Sequence, residues 1–499
     1  MEALGGAPVC RVGLALGMVR GFMGLELGWA ANPLEAWRPG GVIVLNRVPA
    51  VGVGVAWELG YAVEPLGFEY EQEVRLRCIS CGAVYPPSPR LTRCPRCGGL
   101  LDVEVEPREP PSWRLWARRR PGVWRYRELL PAPRGAEPVS MGEGGTPLVR
   151  LGRLAERLGA AGRLYVKHEG QNPTGSFKDR GMTVAVTLAR RAGARAVVVA
   201  STGNTAASVS AYAARAGLRS IVVVPRGKTA LGKLAQSIFY GAAVVEIEGS
   251  FDDALAAVMK AVEEDPRLYP LNSFNPWRLE GQKTLAYEVA EALGGRAPDW
   301  VVVPVGNAGN ISAIWKGFKE LHRLGLIDNL PRLAGVQASG AAPLARAWRR
   351  GLDRPLFVDK PETFATAIRI GRPVNWPKAM KAVRESRGVF VEVSDDEIAW
   401  AHLALARMEG IAVEPASAAS IAGLRRLLEE GVIDGGETVV AVLTGHGLKD
   451  PEAMLRAPSR RLLARSREEA LEIVSKLASE EAPGDGAPGG AGCAGELAV

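Results

Sequence analysis

In the stretch NPTGSFKDRG, residues 172–181, one lysine, Lys178, stands between an aromatic ring and an acid–base pair, where a proline- and glycine-rich loop gives way to a helical pattern. An amine at the head of a helix lies near the positive end of the dipole, which favours the neutral form that condenses with a carbonyl. Three further segments carry matching chemistry: STGNT at 201–205, GNAGN (Gly306, Asn307, Ala308, Gly309 and Asn310) and TGHG at 444–447. Glycine lets backbone amides approach an anion closely, and a helix starting beside the loop adds unpaired N–H groups. GNAGN, with helical sequence from Ile311 onward, therefore reads as a phosphate cradle, although it is neither a GxGxxG fingerprint nor a Walker loop. Taken singly, each segment has a plainer reading, a common turn or a solvated helix-start lysine. Together they ask for an aldehyde cofactor with a phosphate handle, and pyridoxal phosphate meets those demands.

A second constellation lies upstream. RCISCG and RCPRCGG place Cys78, Cys81, Cys94 and Cys97 as two CxxC turns with twelve residues between them. Such turns converge four thiolates on a tetrahedral ion, so structural zinc is expected, with a closed shell and no catalytic part; reduced or cluster-bound cysteines are the alternative. Residues 108–134 follow with eight arginines against two glutamates, so only about +2 of the net +8 belongs to the rest of the chain. With Trp113, Trp116, Trp124 and Tyr126 interleaved, this basic stretch could bind nucleic acid. The competing expectation is that its aromatics pack on the catalytic part.

The elements that must position these groups are legible as periodicity. AVVVA (196–200), IVVVP (221–225), AVVEIE (243–248), WVVVPV (300–305), RLAGVQA (332–338), VFVEV (389–393) and TVVAVL (438–443) read as buried strands, each followed by helical sequence. Runs apolar on both faces imply an α/β fold of parallel sheets flanked by helices, in which ligands bind beyond the carboxyl ends of strands. The glycine loops fall at those ends. With 499 residues and 47% hydrophobic content the chain can form two or three domains with substantial cores. The apolar run VGLALGMV is too short to span a membrane, and the start Met1–Glu2 is unlike a secretory signal, so a cytoplasmic enzyme is expected.

NPTGSFKDRG, STGNTAAS, GNAGN and LTGHGLKD, in that order and over about residues 140–450, resemble the pyridoxal-phosphate enzymes of the tryptophan synthase β fold, or fold type II, and among them the threonine synthases. The resemblance implies that Lys178 carries the cofactor, that Asn204 bonds its 3'-oxygen, that Gly306 to Asn310 hold its phosphate and that Thr444 faces the pyridine nitrogen. A neutral hydroxyl there does not force ring protonation, which suits elimination over transamination. Ser201 and Thr202 would receive the substrate carboxylate; the same residues could instead cap a helix starting near Thr205. NSFNPWRLEGQKT (272–284) is similar to the stretch that binds the substrate's own phosphate, with Arg278 as bidentate partner and Asn272 and Ser273 as neutral donors. Lys228 and Lys233 are read as solvated lysines, His168 as a local hydrogen bonder, His446 as part of a tight turn that the TGHG glycines explain, and Glu414 as a helix cap at the edge of the site.

The implied activity is conversion of O-phospho-L-homoserine and water to L-threonine and phosphate by a homodimer. Cysteate synthase, acting on O-phosphoserine and sulfite, is the nearest rival, and threonine or serine dehydratase a weaker one because it would not need Arg278. The expected organisation is an N-terminal extension over 1–70 from a misplaced start, a zinc ribbon over 71–106 and a basic linker over 107–139. A catalytic region over 140–460 follows, its smaller subdomain at about 185–275, then a C-terminal helix over 461–480 and a disordered Gly/Ala/Pro tail over 481–499.

Overall fold

A computed structural model of the chain describes residues 69–160, 163–227 and 231–479, with the side chains of 231–233 excepted; the expectations for residues 1–68, Lys228, Lys233 and the tail from 480 lie outside what is described. The β-branched runs form two parallel sheets. One has the order β8-β7-β6-β9 and is built from β6 (Ala196–Ala200), β7 (Arg219–Pro225), β8 (Ala243–Ile247) and β9 (Leu268–Pro270), all parallel. The other has the order β12-β11-β10-β13-β5-β4. Its strands are β10 (Trp300–Pro304), β11 (Arg332–Ala338), β12 (Val389–Val393), β13 (Val439–Leu443), β5 (Leu164–His168) and β4 (Leu148–Arg150), parallel except for β4, which runs antiparallel to β5 at the edge.

Every residue of β6, β10 and β13 is buried, as strands covered by helices on both faces require. A third, antiparallel sheet of order β2-β1-β3 joins β1 (Glu73–Cys78), β2 (Val84–Tyr85) and β3 (Leu101–Glu106), and carries the four cysteines.

The basic stretch after β3 is folded onto the catalytic part. Trp116 and Tyr126 have no exposed surface and pack edge-on at 4.8 Å. Trp113 Nε1 donates to the Leu326 carbonyl, Trp124 Nε1 to Thr183 Oγ1 and Tyr126 Oη to Glu291. Arg119 is spent on Glu128 and Arg125 on Glu291. Trp116 and Tyr126 therefore work as core, and the half-buried Trp113 and Trp124 pack against it, as the plainer of the two expectations held. Near the end of the described chain the helix starts at Arg467, not 461, because Ser466 Oγ accepts from the Glu469 amide and caps it. No helix among the described residues is long and apolar enough to cross a membrane.

Candidate active site

Lys178 is the first residue of the helix Lys178–Arg191, and both of its successors are pinned. Asp179 is fully buried and accepts from the Thr174 amide (2.7 Å), Thr174 Oγ1 (2.7 Å) and Ser208 Oγ (2.5 Å); burial pushes its carboxyl up to about 6. Arg180, also without exposed surface, clasps Glu169 at 2.6 and 2.8 Å and Glu288 at 2.7 Å through two nitrogens. The loop before the lysine is zipped to the end of β13: the Phe177 amide donates to the Thr444 carbonyl at 3.1 Å, and Ser176 bridges Gly445. Held from both sides, the Lys178 amine has no hydrogen-bond or ion-pair partner among the described residues and lies 3.9 Å over the Phe177 ring.

Burial, and after it the Arg278 charge, bring the Lys178 amine down to about 7, against a smaller opposing pull from Glu414. The physical reason is desolvation with a like-charged neighbour. Arg278 comes from the short helix Trp277–Gln282, which crosses the lysine helix at two glycines. A Cβ on Gly181 would lie 2.7 Å from the Arg278 carbonyl, and one on Gly281 only 1.6 Å from the Arg180 carbonyl. Backbone against backbone, lysine and arginine are set in fixed relation. Neither glycine stood out in the sequence, and only the crossing reveals its use.

Arg278 is 3% exposed, donates from Nη1 to the Leu271 carbonyl at 2.8 Å and leaves Nε without a partner. Burial lowers it to about 10, a guanidinium short of an anion. Asn272, expected as a free donor beside it, is instead committed: Oδ1 accepts from the Ala200 amide (3.2 Å) and Nδ2 donates to the Ala200 carbonyl (2.9 Å). It extends the β6–β9 ladder past Pro270, and at most one N–H remains for a ligand. Ser273 contributes its carbonyl, which accepts from Asn375 Nδ2 at 2.8 Å.

GNAGN follows β10. The helix it leads into begins at Gly309, earlier than the expected Ile311, with Ala308 in the left-handed region at φ 65°. A non-glycine residue there costs about 1–2 kcal/mol and turns the chain sharply into the first turn, whose amides have no partner four residues back. Asn310 is 6% exposed with neither side-chain atom bonded. Asn307 is clamped from outside, its carbonyl accepting the Asn375 amide at 3.1 Å.

After β6, the helix Asn204–Ala216 starts with Gly203 as its cap and no capping side chain, so Ser201 and Thr202 do not cap it; Ser201 Oγ accepts only a 3.4 Å bond from the Gly203 amide. Asn204 Nδ2 donates to both oxygens of Glu414, at 3.0 and 2.9 Å. This corrects the expectation for Glu414. It occupies the cap position of the helix Pro415–Glu429, but its side chain makes no capping bond and reaches across 210 residues to Asn204, with burial raising its carboxyl. Thr444, 5% exposed, bonds Ser417 Oγ at 3.1 Å, and Ser417 also accepts from the Gly445 amide, a support that the sequence left unmarked. His446 Nδ1 accepts from the Leu448 amide, and its ring lies parallel to that of His168 at 6.5 Å. His168 is bonded locally as expected, its Nε2 lying 3.4 Å from Gln171 Nε2, while its Nδ1 has no partner.

The four cysteine sulfurs lie within 4.8 Å of one another, with Cys78–Cys97 at 3.5 Å and Cys81–Cys94 at 3.7 Å. A tetrahedral Zn–S₄ centre has edges of about 3.8 Å, so this donor set fits zinc. Gly82 and Gly98, each following a CxxC pair, take φ 72° and 68° and let each turn close.

The model of the pyridoxal-phosphate dependent enzyme family matches residues 139–445. Threonine synthase of Methanocaldococcus jannaschii is 54% identical over 384 residues, covering 76% of this chain and 94% of that protein; threonine synthase of Methanosarcina acetivorans is 52% identical over 381 residues, covering 76% and 93%. Among solved structures, the processed form of threonine deaminase isoform 2 from Solanum lycopersicum superposes with a TM-score of 0.52 at 24% identity, over 67% of this chain and 88% of that one. Maize serine racemase does so with 0.52 at 19%, over 67% and 93%. These two likenesses speak for the fold alone.

Proposed function

The chain belongs to the pyridoxal-phosphate-dependent enzyme family, and from that premise we propose that it converts O-phospho-L-homoserine and water to L-threonine and inorganic phosphate. The observation that carries the substrate choice is the buried Arg278 guanidinium beside the Lys178 amine, with Nε unspent. An unphosphorylated substrate would leave that charge buried and uncompensated, which is costly. The 54% identity to a threonine synthase over nearly all of that protein favours the same reading over cysteate synthase or a dehydratase.

The residues fit the cofactor. A buried amine without an acid partner, the unpaired first-turn amides after Ala308 and an unbonded buried Asn310 offer attachment and a phosphate seat. We assign Lys178 to hold it covalently, Gly306 to Asn310 to its phosphate, Asn204 to its ring oxygen and Thr444 to its ring nitrogen. When bound, the cofactor supplies an electron sink conjugated to the substrate amine, which acidifies the adjacent carbon.

The Lys178 nitrogen, near 7 and so about half deprotonated at neutral pH, then takes the proton from Cα and later one from Cβ. Arg278 neutralises the γ-phosphate as its ester bond breaks, and Ser201 and Thr202 receive the α-carboxylate. Their partial exposure leaves them accessible from solvent. Glu414 orients Asn204 through its two contacts, and Ser417 orients Thr444. We also assign zinc to the four cysteines as a structural ion, cytoplasmic location and a homodimer to the enzyme.

Incubating the purified protein with pyridoxal phosphate and O-phosphohomoserine should yield threonine and phosphate in equal amounts. Product only from O-phosphoserine with sulfite would overturn the assignment in favour of the rival.

A further inference from the structure

Two lysines from two helices converge on one strand of the cysteine-bearing sheet. Lys378 Nζ donates to the Leu101 carbonyl at 2.7 Å and to Asp102 Oδ1 at 3.2 Å. Lys316 Nζ donates to the Val103 carbonyl, pairs with the same Asp102 oxygen at 3.5 Å and with Glu280 Oε1 at 2.5 Å. Three consecutive residues of β3 thus take up both ammonium groups.

What lies on the other side of those lysines is the site. Lys378 is three residues from Asn375, which holds the cradle through the Asn307 carbonyl and the neighbouring loop through the Ser273 carbonyl. Lys316 lies on Gly309–Arg323, the helix whose first turn is the cradle. Its partner Glu280 shares with Arg278 the helix Trp277–Gln282, and Glu280 also pairs with the buried Lys283 at 2.7 Å. We propose that β3, through Asp102, is a positioning element for both anion sites, so that the cysteine-bearing sheet sets the spacing between the cofactor-phosphate cradle and Arg278. This rests on the assignment of those two sites above.

Asp102 pairs with two ammonium groups at once. Without its charge, Lys378 keeps only the Leu101 carbonyl and Lys316 only the Val103 carbonyl and Glu280, and the two like charges repel across β3, loosening loops whose value lies in pre-organisation. Asp102 touches neither ligand, and it works only through Lys316, Lys378 and the helices that bear them.

The test uses the full chain, comparing wild type, Asp102→Asn, Asp102→Glu and Glu104→Gln. Glu104 lies two residues on in the same strand but pairs only with Arg75 and Arg77 at the surface. Three readouts are taken: the Kd for pyridoxal phosphate from spectral titration of the apoenzyme, KM and kcat with O-phosphohomoserine, and Tm. Asp102→Asn should raise Kd and KM about tenfold, as loss of one charge-assisted contact does, with kcat within about twofold. Asp102→Glu should recover part of the loss, and Glu104→Gln should change neither constant.

A lowered Tm for Asp102→Asn with Kd and KM unmoved would overturn the proposal, as would an equal effect of Glu104→Gln. Should Asp102→Asn not fold, Lys378→Gln, which gives up only the bonds to Leu101 and Asp102, is read by the same criteria. A wild type inactive on O-phosphohomoserine would refute the functional reading instead, while the cofactor Kd of the variants would still decide the role of β3.

Discussion

Lys178 and Lys316 are both half-buried amines, and their chemistry is opposite. At the head of its helix Lys178 meets a guanidinium, Glu414 gives only a smaller opposing pull, and burial with the guanidinium holds the amine near 7. Lys316, partway along the cradle helix, suffers the same burial, but Asp102 and Glu280 outweigh it and hold the ammonium well above the usual lysine range. Burial alone does not make a reactive lysine; the company kept by the buried amine does. A molecule that surrounds most of its buried cations with acids, as it does Arg180, Lys167 and Lys283, and leaves one beside another cation has marked the place where a neutral amine is wanted.

The comparison can be broken at either end. The largest effect should come from Lys178→Met: turnover falls by about 10⁴-fold or more, because attachment and proton transfer are lost together, yet the apoenzyme should unfold no earlier since an unpaired buried cation has gone. A variant that kept turnover would refute the assignment, and one that lost stability would show the amine paired after all. Lys316→Met should do the reverse, costing about 1–3 kcal/mol in denaturant unfolding, because Glu280 and Asp102 each lose one charge-assisted partner while keeping Lys283 and Lys378, and kcat survives.

The two amines should also tilt the apoenzyme's stability with pH in opposite senses. For Lys178, lowered to about 7, the unfolded chain binds the extra proton between about pH 7 and the unfolded value of 10.5, so its contribution rises with pH across that window. For Lys316, raised, the folded state binds the extra proton, so its contribution is complete below 10.5 and is lost as pH climbs beyond.

How much of this was legible beforehand follows from the range of the interactions. The seven β-branched runs, the lysine loop and the three glycine loops announce themselves because strand burial and tight turns impose composition within a few residues. β9 is three residues ending in Pro270, and β4 is an edge strand of three, too short to leave a periodic trace. The reach of Glu414 to Asn204, the grip of Asp102 on Lys316 and Lys378, and the Gly181–Gly281 crossing join residues from 100 to 276 positions apart. No local pattern encodes such pairs. A hint existed only in the abundance of glutamate and lysine within segments otherwise apolar, such as WRLEGQKTLAYEVA, where charges inside a helix destined for the core must find partners. Glu414 was misjudged because a carboxylate before Pro415 at a helix start usually caps, and the competing interaction lay on another sheet's loop.

The subtlest expected effect sharpens the comparison at its hinge, the pairing of Lys178 with Arg278. Arg278→Gln removes the like charge while keeping a polar side chain in the cavity, so the Lys178 amine should become more basic. Burial, the larger of the two causes, remains, and the rise should be about one pH unit or less, leaving the group well short of an ordinary lysine. The rate of covalent cofactor attachment to the apoenzyme, trapped by borohydride and read by mass, increases as the amine loses its proton; its midpoint near pH 7 should move upward in the variant. An unmoved midpoint would mean that desolvation alone tunes the amine and that Arg278 serves only the substrate. A downward one would mean that Arg278 normally shields Lys178 from something still less hospitable to charge, and the contrast with Lys316 would then rest on burial depth rather than on neighbours.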